Sequence, residues 1–391
     1  MLKRRFYIVL SLLLFCFSAH AGINDTKTVK RVIESVGRQY APDKRTAIFD
    51  LAVVENSGQF ILKGNTNLPE AKRLVLDSLS ILGISCRDSV VVFPEQSLGE
   101  KTWGIVTLSS TIMRSEPDFS AEMVSEALMG TPVKVLRKKN CWYLIQTPDQ
   151  YLGWIDCRGI SQKTEAEMTD WKKSNRFVFV KLIGYVVDAP KKNALHISDL
   201  VMDNLFEMIS DANKYLHIRL PDGRTGFVNK SDCISYREWS ERKPTIGNII
   251  SVSKQMLGVP YVWGGTTCKG VDCSGMTKTA FFSQGIILAR DASQQARYGQ
   301  HLDINDLQSF EPGDLLFFGR SVQRITHVGL YLGNDRYINS AGLVCYNNIN
   351  PKSSQFRASD RKDLVAASRV MNSLNTEGIM LVKDHPWYND K

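Results

Sequence analysis

Residues 258–275 read Gly-Val-Pro-Tyr-Val-Trp-Gly-Gly-Thr-Thr-Cys-Lys-Gly-Val-Asp-Cys-Ser-Gly. The Gly264-Gly265 pair permits a sharp turn and close backbone approach. Cys273 then opens a run to Phe282 that reads as a helix, with Asp272 at the N-cap position. A thiol at a helix N-terminus feels the positive end of the macrodipole, which favours thiolate. A backbone amide exposed there suits a tetrahedral oxyanion. Cys268 is the rival nucleophile, but it sits in a loop ahead of Lys269-Gly270, so Cys273 is preferred.

A cysteine nucleophile needs a base. Apart from His20, the chain has five histidines: His196, His217, His301, His327 and His385. His217 alternates with apolar residues and reads as a structural strand residue, and His301 follows a polar run that reads as surface. His327 opens the strand-like His-Val-Gly-Leu-Tyr-Leu, whose partner after the turn Gly333-Asn334-Asp335 is Arg336–Ser340. Asn339 on that partner is placed to orient His327, completing a Cys–His–Asn relay. Standing alone, His327 would read as a structural histidine. The five show no metal-ligand spacing, so neither metal nor cofactor is expected.

Upstream, residues 100–235 contain an internal repeat. At an offset of 73, Pro117 falls on Pro190, Pro148 on Pro221, Gly153 on Gly226 and Ile155 on Val228. Short alternating strands with Pro-Asp turns suit two small β-barrels, at 100–162 and 176–235. The units differ where Glu116 meets Ala189 and Tyr151 meets Arg224. A loop acid before a proline is ordinarily just solvated, yet an acid and a phenol in one unit alone suggest a task for that unit. Residues 161–175 and 236–246 read as charged connectors, and 371–391 as an ordered tail lying on another domain. Residues 24–98 read as a small α/β domain with helical spacing at Val29, Val32, Ile33 and Val36, serving as scaffold or spacer.

The full chain of 391 residues is 43% hydrophobic and 23% charged, ordinary globular proportions compatible with two to four domains. Its charge of +9 needs correcting. Residues 1–21, with Lys3, Arg4 and Arg5 ahead of the apolar run Phe6 to Phe17 and Ala19-His20-Ala21 at the end, read as a secretory signal peptide cleaved after Ala21. Without it, 46 Lys and Arg face 40 Asp and Glu, a balance of +6 with no dense basic run. Nucleic-acid binding therefore has little support, and no later stretch is long enough for a membrane span. Cleavage also removes Cys16 and leaves seven cysteines, an odd number with at least one free thiol. Cys273 takes that place, and the other six are expected paired or buried.

Pro260–Gly265, Asp272–Gly275, Pro312–Phe318 and His327–Tyr331, in that order over 247–370, resemble the NlpC-type (NlpC/P60) family of bacterial cell-wall cysteine peptidases. The paired barrels extend the resemblance to members that are γ-D-glutamyl-L-diamino-acid endopeptidases. The implied fold is multidomain α+β, with a papain-like core whose helix carries the thiol against an antiparallel sheet. The resemblance assigns Cys273 as nucleophile and His327 as base. The third position, often histidine in the family, is Asn339 here, which orients the ring without titrating. Tyr261 matches a tyrosine near the reacting carbonyl, and Asp272 and Ser274 match the acyl-side pocket. Asp291 and Ser293 fall in the loop after the catalytic helix.

Glu116 and Tyr151 match first-barrel residues that help bind the free α-amine of the substrate's N-terminal L-alanine. A desolvated ammonium needs anionic and hydrogen-bonding partners, which Glu116, Asp272 and Tyr151 are expected to provide. The implied substrate is a released murein stem peptide, L-Ala-γ-D-Glu-diamino acid, cut in the periplasm. Two other readings share these features: a wall-binding protein with an inactive last domain, and a thiol amidase or acyltransferase on another amide.

Overall fold

The computed structural model describes residues 26–356 and 362–389; the leader read at 1–21 lies outside them. The chain divides into two compact units between Ser97 and Leu98. In the first, the apolar spacing produces α1 (Thr26–Tyr40), which buries Val29, Val32, Ile33 and Val36. A hairpin joins β1 (Phe49–Asn56) to β2 (Gln59–Thr66). The helix α2 (Pro69–Ile81) starts on its proline and crosses to β3 (Cys86–Val92), which therefore runs parallel to β2. Helices and sheet share one core around Phe60, Leu62, Leu74 and Leu79.

The second unit begins with two barrels of one design. The first has β4 (Trp103–Val106), β5 (Ser110–Arg114), β6 (Met123–Leu128), β7 (Pro132–Lys139), β8 (Trp142–Gln146), β9 (Leu152–Asp156) and β10 (Ile160–Lys163), in sheet order β10-β4-β7-β8-β9-β5-β6. The second has β11 (Arg176–Phe179), β12 (Ile183–Val187), β13 (His196–Val201), β14 (Leu205–Ala212), β15 (Tyr215–Arg219), β16 (Thr225–Asn229) and β17 (Cys233–Ser235), in order β17-β11-β14-β15-β16-β12-β13. The offset of 73 carries β4 to β9 onto β11 to β16 residue for residue.

The segments read as charged connectors differ from that reading. They contain α3 (Glu165–Lys173) and α4 (Tyr236–Glu241), and each buries aromatic side chains: Trp171 in α3, Tyr236 and Trp239 in α4. Their charges cover one face while the aromatic groups enter a core shared with Trp103, Phe282, Trp387 and Tyr388. The C-terminal segment is likewise integral.

The last region contains α5 (Ile246–Gln255), β18 (Thr266–Thr267), β19 (Gly270–Val271), α6 (Cys273–Phe282), β20 (Ile286–Leu288), α7 (Ala292–Gln295), β21 (Gln300–Leu302), β22 (Leu315–Gly319), β23 (Ile325–Gly333), β24 (Arg336–Ala341), β25 (Leu343–Asn348), β26 (Leu364–Arg369) and β27 (Ile379–Leu381). Six strands form an antiparallel sheet, β21-β26-β22-β23-β24-β25. Met276 and Phe281 of α6 pack with Phe317, Val328 and Ile338 of that sheet, the papain-like layering. β27 pairs with β20, which stitches the tail into the layer behind α6.

Cys141 and Cys157 form a disulfide. Cys233 and Cys273 lie outside the disulfide and are buried, whereas Cys86, Cys268 and Cys345 lie outside it and are half-buried, so the expectation that every other cysteine is paired or buried fails for these three.

Candidate active site

The N-terminus of α6 is built around Asp272. Its Oδ1 accepts from the Gly275 amide at 2.7 Å and the Ser274 hydroxyl at 3.2 Å, and its Oδ2 accepts from the Gly264 amide at 2.9 Å. Glycine is required at 264: φ is +81°, and a Cβ would stand 2.6 Å from the Met123 carbonyl oxygen of the first barrel. Arg290, 1% exposed, grips the same carboxylate with Nη1 at 3.1 Å and Nη2 at 2.6 Å. Its Nη1 also donates to Ser274 Oγ at 3.1 Å, and its Nε to Ser125 Oγ of the first barrel at 3.0 Å. Burial would pull the Arg290 pKa down, but Asp272 reverses that and holds it above the ordinary value. Such a pair is a positioning device: a buried charge is tolerated when paired and hydrogen-bonded.

Cys273 lies at the floor of this arrangement, 6% exposed. Burial, reinforced by the Asp272 charge, pushes its thiol up to about 11, against backbone hydrogen bonds from Val328 and Ser274 and the charge of Arg290. Desolvation therefore opposes the pull of the helix N-terminus on this thiol. The Val328 contact sets the sulfur beside β23, one residue beyond His327. The half-buried His327 ring holds Nε2 3.1 Å from Asn339 Oδ1. Asn339 is fully buried, and its Nδ2 has no hydrogen-bond partner among the described residues. With Oδ1 facing the ring, Nε2 carries the hydrogen and Nδ1 is the basic nitrogen.

Tyr261 stands over the same floor. Burial, then the nearby Cys273 and Asp272, push its phenol up to about 12. Tyr151 reaches in from the first barrel and donates to Asp291 Oδ2 at 3.0 Å, and Asp291 in turn caps α7. Glu116, on the loop between β5 and β6, is exposed, and its carboxylate makes no hydrogen bond or ion pair among the described residues. Ser293 is half-buried on α7. The structure thus joins His327 to Asn339, Asp272 to Ser274, and Tyr151 to Asp291; it does not join Glu116 to Tyr151 or Asp272.

Four contributors escaped the sequence reading. Arg290 directly precedes Asp291 in the sequence, but nothing there marks it as the buried partner of Asp272. Asp149 pairs with Lys278 of α6, its side chain 2% exposed. Burial alone would raise the Asp149 pKa, and Lys278 and Thr147 outweigh that to hold it below the usual range. Glu126 accepts from the Thr266 amide at 2.5 Å. His385 accepts from the Trp387 amide through Nδ1 and sets Nε2 3.1 Å from the Pro148 carbonyl, so the C-terminal segment braces the turn that carries Tyr151. Among the described residues, the grouping with metal-ligand geometry is Cys141, Asp156 and Cys157, whose two sulfurs are already bridged.

Comparison with known proteins agrees with this architecture. Residues 258–360 match the NlpC/P60 family and 109–161 the bacterial SH3 domain. A Bacillus cereus protein named γ-D-glutamyl-L-lysine dipeptidyl-peptidase is 30% identical over 233 residues, 56% of this chain and 67% of its own. Dipeptidyl-peptidase 6 of Lysinibacillus sphaericus is 27% identical over 283 residues, 69% of this chain and 98% of its own. In fold, the chain is similar to a crystal structure of an NlpC/P60 family protein from Bacillus cereus, with a TM-score of 0.59 at 23% identity over 68% of this chain and 99% of that one.

Proposed function

The chain belongs to the NlpC/P60 family of cysteine peptidases, and from that membership we propose an endopeptidase that cuts the γ-D-Glu to diamino-acid bond of released L-Ala-γ-D-Glu-diamino-acid peptides. The supporting observation is the line from Cys273 through Val328 to the His327–Asn339 pair, with Tyr151 of a neighbouring barrel at its acyl end. Two relatives bearing a dipeptidyl-peptidase name are similar over 56% and 69% of this chain.

On substrate binding, the Cys273 proton passes to His327 Nδ1 as sulfur attacks the γ-carbonyl carbon of D-Glu. The new oxyanion sits at the start of α6, where the Ser274 amide is within reach. The imidazolium then protonates the departing amine of the diamino acid, leaving a thioester. Water, deprotonated by His327, adds to the thioester and releases L-Ala-γ-D-Glu with the thiol restored. Asn339 keeps Nε2 protonated throughout.

On the acyl side, Asp272 is committed to Arg290, so the carboxylate with spare capacity for the substrate's α-ammonium is Glu116, with the Tyr151 oxygen as second acceptor. Tyr261, Ser274, Asp291 and Ser293 line the acyl pocket in this reading. An amine held this way demands a free N-terminal L-Ala, hence a released peptide. Export to the periplasm fits residues 1–21, and the Cys141–Cys157 bridge suits an oxidising compartment. No helix among the described residues is long and apolar enough to cross a membrane.

The test is incubation with L-Ala-γ-D-Glu-diaminopimelate and identification of L-Ala-γ-D-Glu. Wild type releases it and Cys273→Ala does not; retained cleavage in that variant removes the nucleophile assignment.

A further inference from the structure

The loop between β5 and β6 that carries Glu116 is bonded to itself. Ser115 N donates to Glu122 O at 3.0 Å and Asp118 N to Glu116 O at 2.8 Å, while Asp118 Oδ1 accepts from the Ser120 amide at 2.7 Å and from its hydroxyl at 2.6 Å. Such a loop moves as one piece, so the place of Glu116 depends on what holds the piece to its surroundings. At the base, Arg114 Nη1 of β5 donates to Ala121 O at 2.6 Å, and Trp263 of the thiol-bearing region donates Nε1 to Glu122 Oε1 at 2.8 Å. At the tip, the Phe119 ring lies 4.9 Å from the Trp142 ring, tilted by 59°, with the Arg158 guanidinium 5.9 Å from its centroid. Phe119 is 61% exposed and Trp142 beneath it 8%.

Both partners of Phe119 sit one residue from the disulfide: Cys141 precedes Trp142, and Cys157 precedes Arg158. Trp142 lies opposite Asp156 in the β8–β9 ladder, and Asp156 holds Arg158 with Oδ1 2.7 Å from Nε and Oδ2 3.0 Å from Nη2. The second barrel closes the same strand ends through Lys214 and Lys230, so this fold does not require a bridge there. At the offset of 73, Phe119 becomes Lys192, Arg158 becomes Ser231 and Glu116 becomes Ala189. Bridge, aromatic clamp and loop acid occur together in one barrel and are replaced together in the other.

We propose that Phe119 is a positioning residue for amine recognition: seated on Trp142 and Arg158, over strand ends tied by the Cys141–Cys157 bridge, it holds the loop so that Glu116 is in place before the substrate's α-ammonium arrives. The inference rests on the reading of Glu116 as the acceptor of that amine. A loop that is competent only part of the time weakens binding by that fraction, so the clamp lowers KM. It leaves the chemical step at Cys273 unaltered, because it acts on binding alone.

The test is kcat and KM for L-Ala-γ-D-Glu-diaminopimelate and its Nα-acetyl derivative, in wild type, Phe119→Ala, Phe119→Tyr and the double variant Cys141→Ser/Cys157→Ser, with Glu116→Gln as reference. Phe119→Ala is expected to raise KM for the free-amine peptide about fivefold, the scale of one aromatic pair, with kcat unaltered, and to narrow the preference for the free amine by the same factor. Phe119→Tyr keeps the ring and the wild-type KM. The double serine variant raises KM in the same direction, and adding Phe119→Ala to it changes little more, as expected of groups that act as a unit. Phe119→Ala leaves the bridge intact and so decides the matter even where the serine variant is too unstable to assay. Wild-type KM and amine preference in Phe119→Ala, or equal slowing of both substrates, overturns the clamp while a lost preference in Glu116→Gln keeps the amine reading. Full preference retained in Glu116→Gln overturns the amine reading, and the clamp with it.

Discussion

The two barrels share strand order and spacing, yet they meet the thiol-bearing region differently. In the first, Ser125, Asp149 and Tyr151 contact Arg290, Lys278 and Asp291. The matching positions in the second hold Ser198, Asp222 and Arg224. There Asp222 and Arg224 pair with each other at 2.7 Å, both partly exposed. The backbone is conserved between the units down to single bonds: Cys157 N to Cys141 O at 2.8 Å reappears as Lys230 N to Lys214 O at 2.9 Å. One fold therefore turns these loop side chains onto the thiol-bearing region in one copy and pairs them with each other in the other, and the difference lies in a few side chains on equivalent loops. A further trace of shared use survives at Glu126 and its counterpart Asp199. Glu126 accepts from Thr266, and Asp199 accepts from Lys269 at 2.5 Å.

The sharpest way to break this contrast is to remove an arginine from each side. Arg290→Met leaves Asp272 buried without its countercharge and should cost about 3–5 kcal/mol of stability in denaturant titration. Arg224→Met deletes a partly exposed pair and should cost less than about 1 kcal/mol. Equal losses would contradict the division. Next, the disulfide closes a loop between residues 16 apart, so replacing Cys141 and Cys157 together with serine should lower stability by about 3 kcal/mol. That loss belongs to the first barrel alone, since lysines occupy the matching places.

A smaller effect is expected from Tyr151→Phe, which keeps the ring buried and loses the hydroxyl. It should reduce kcat/KM for the free-amine peptide about tenfold, the scale of one hydrogen bond to a charge, while Arg224→Gln leaves it unaltered.

The subtlest test uses pH. Burial is the largest influence on His385 and holds its pKa below the ordinary histidine value, against the Pro148 carbonyl and the Asp149 charge. A depressed folded-state histidine contributes fully above about pH 6.5 and loses that contribution as the pH falls below it, when the unfolded chain takes up the proton first. His385→Gln should flatten the stability change from pH 7 to pH 5. An unchanged slope would detach the C-terminal brace from the Tyr151 turn.

Much of this was legible in order of locality. Periodicity at Val29 to Val36 located α1, the offset of 73 located both barrels, and Asp272-Cys273 located the start of α6. Each is written in neighbouring residues. His327 and Asn339 were legible because a short turn joins their strands. What escaped depends on long-range burial: no local pattern says that Arg290 is enclosed with Asp272, or that Asp149 of a barrel turn finds Lys278. The thiol's protonation escaped for the same reason, since a helix N-terminus can be read from sequence and the desolvation opposing it cannot. The connectors looked solvated because their charges outnumber their aromatic residues, while Trp171 and Trp239 decide where they lie.

The central claim is that the first barrel makes the site read a free α-amine. It is tested most directly by comparing kcat/KM for L-Ala-γ-D-Glu-diaminopimelate and its Nα-acetyl derivative, in wild type and in Glu116→Gln. The account predicts a strong preference for the free amine in wild type and a much reduced preference in the variant. Equal turnover of the two substrates by wild type would contradict it.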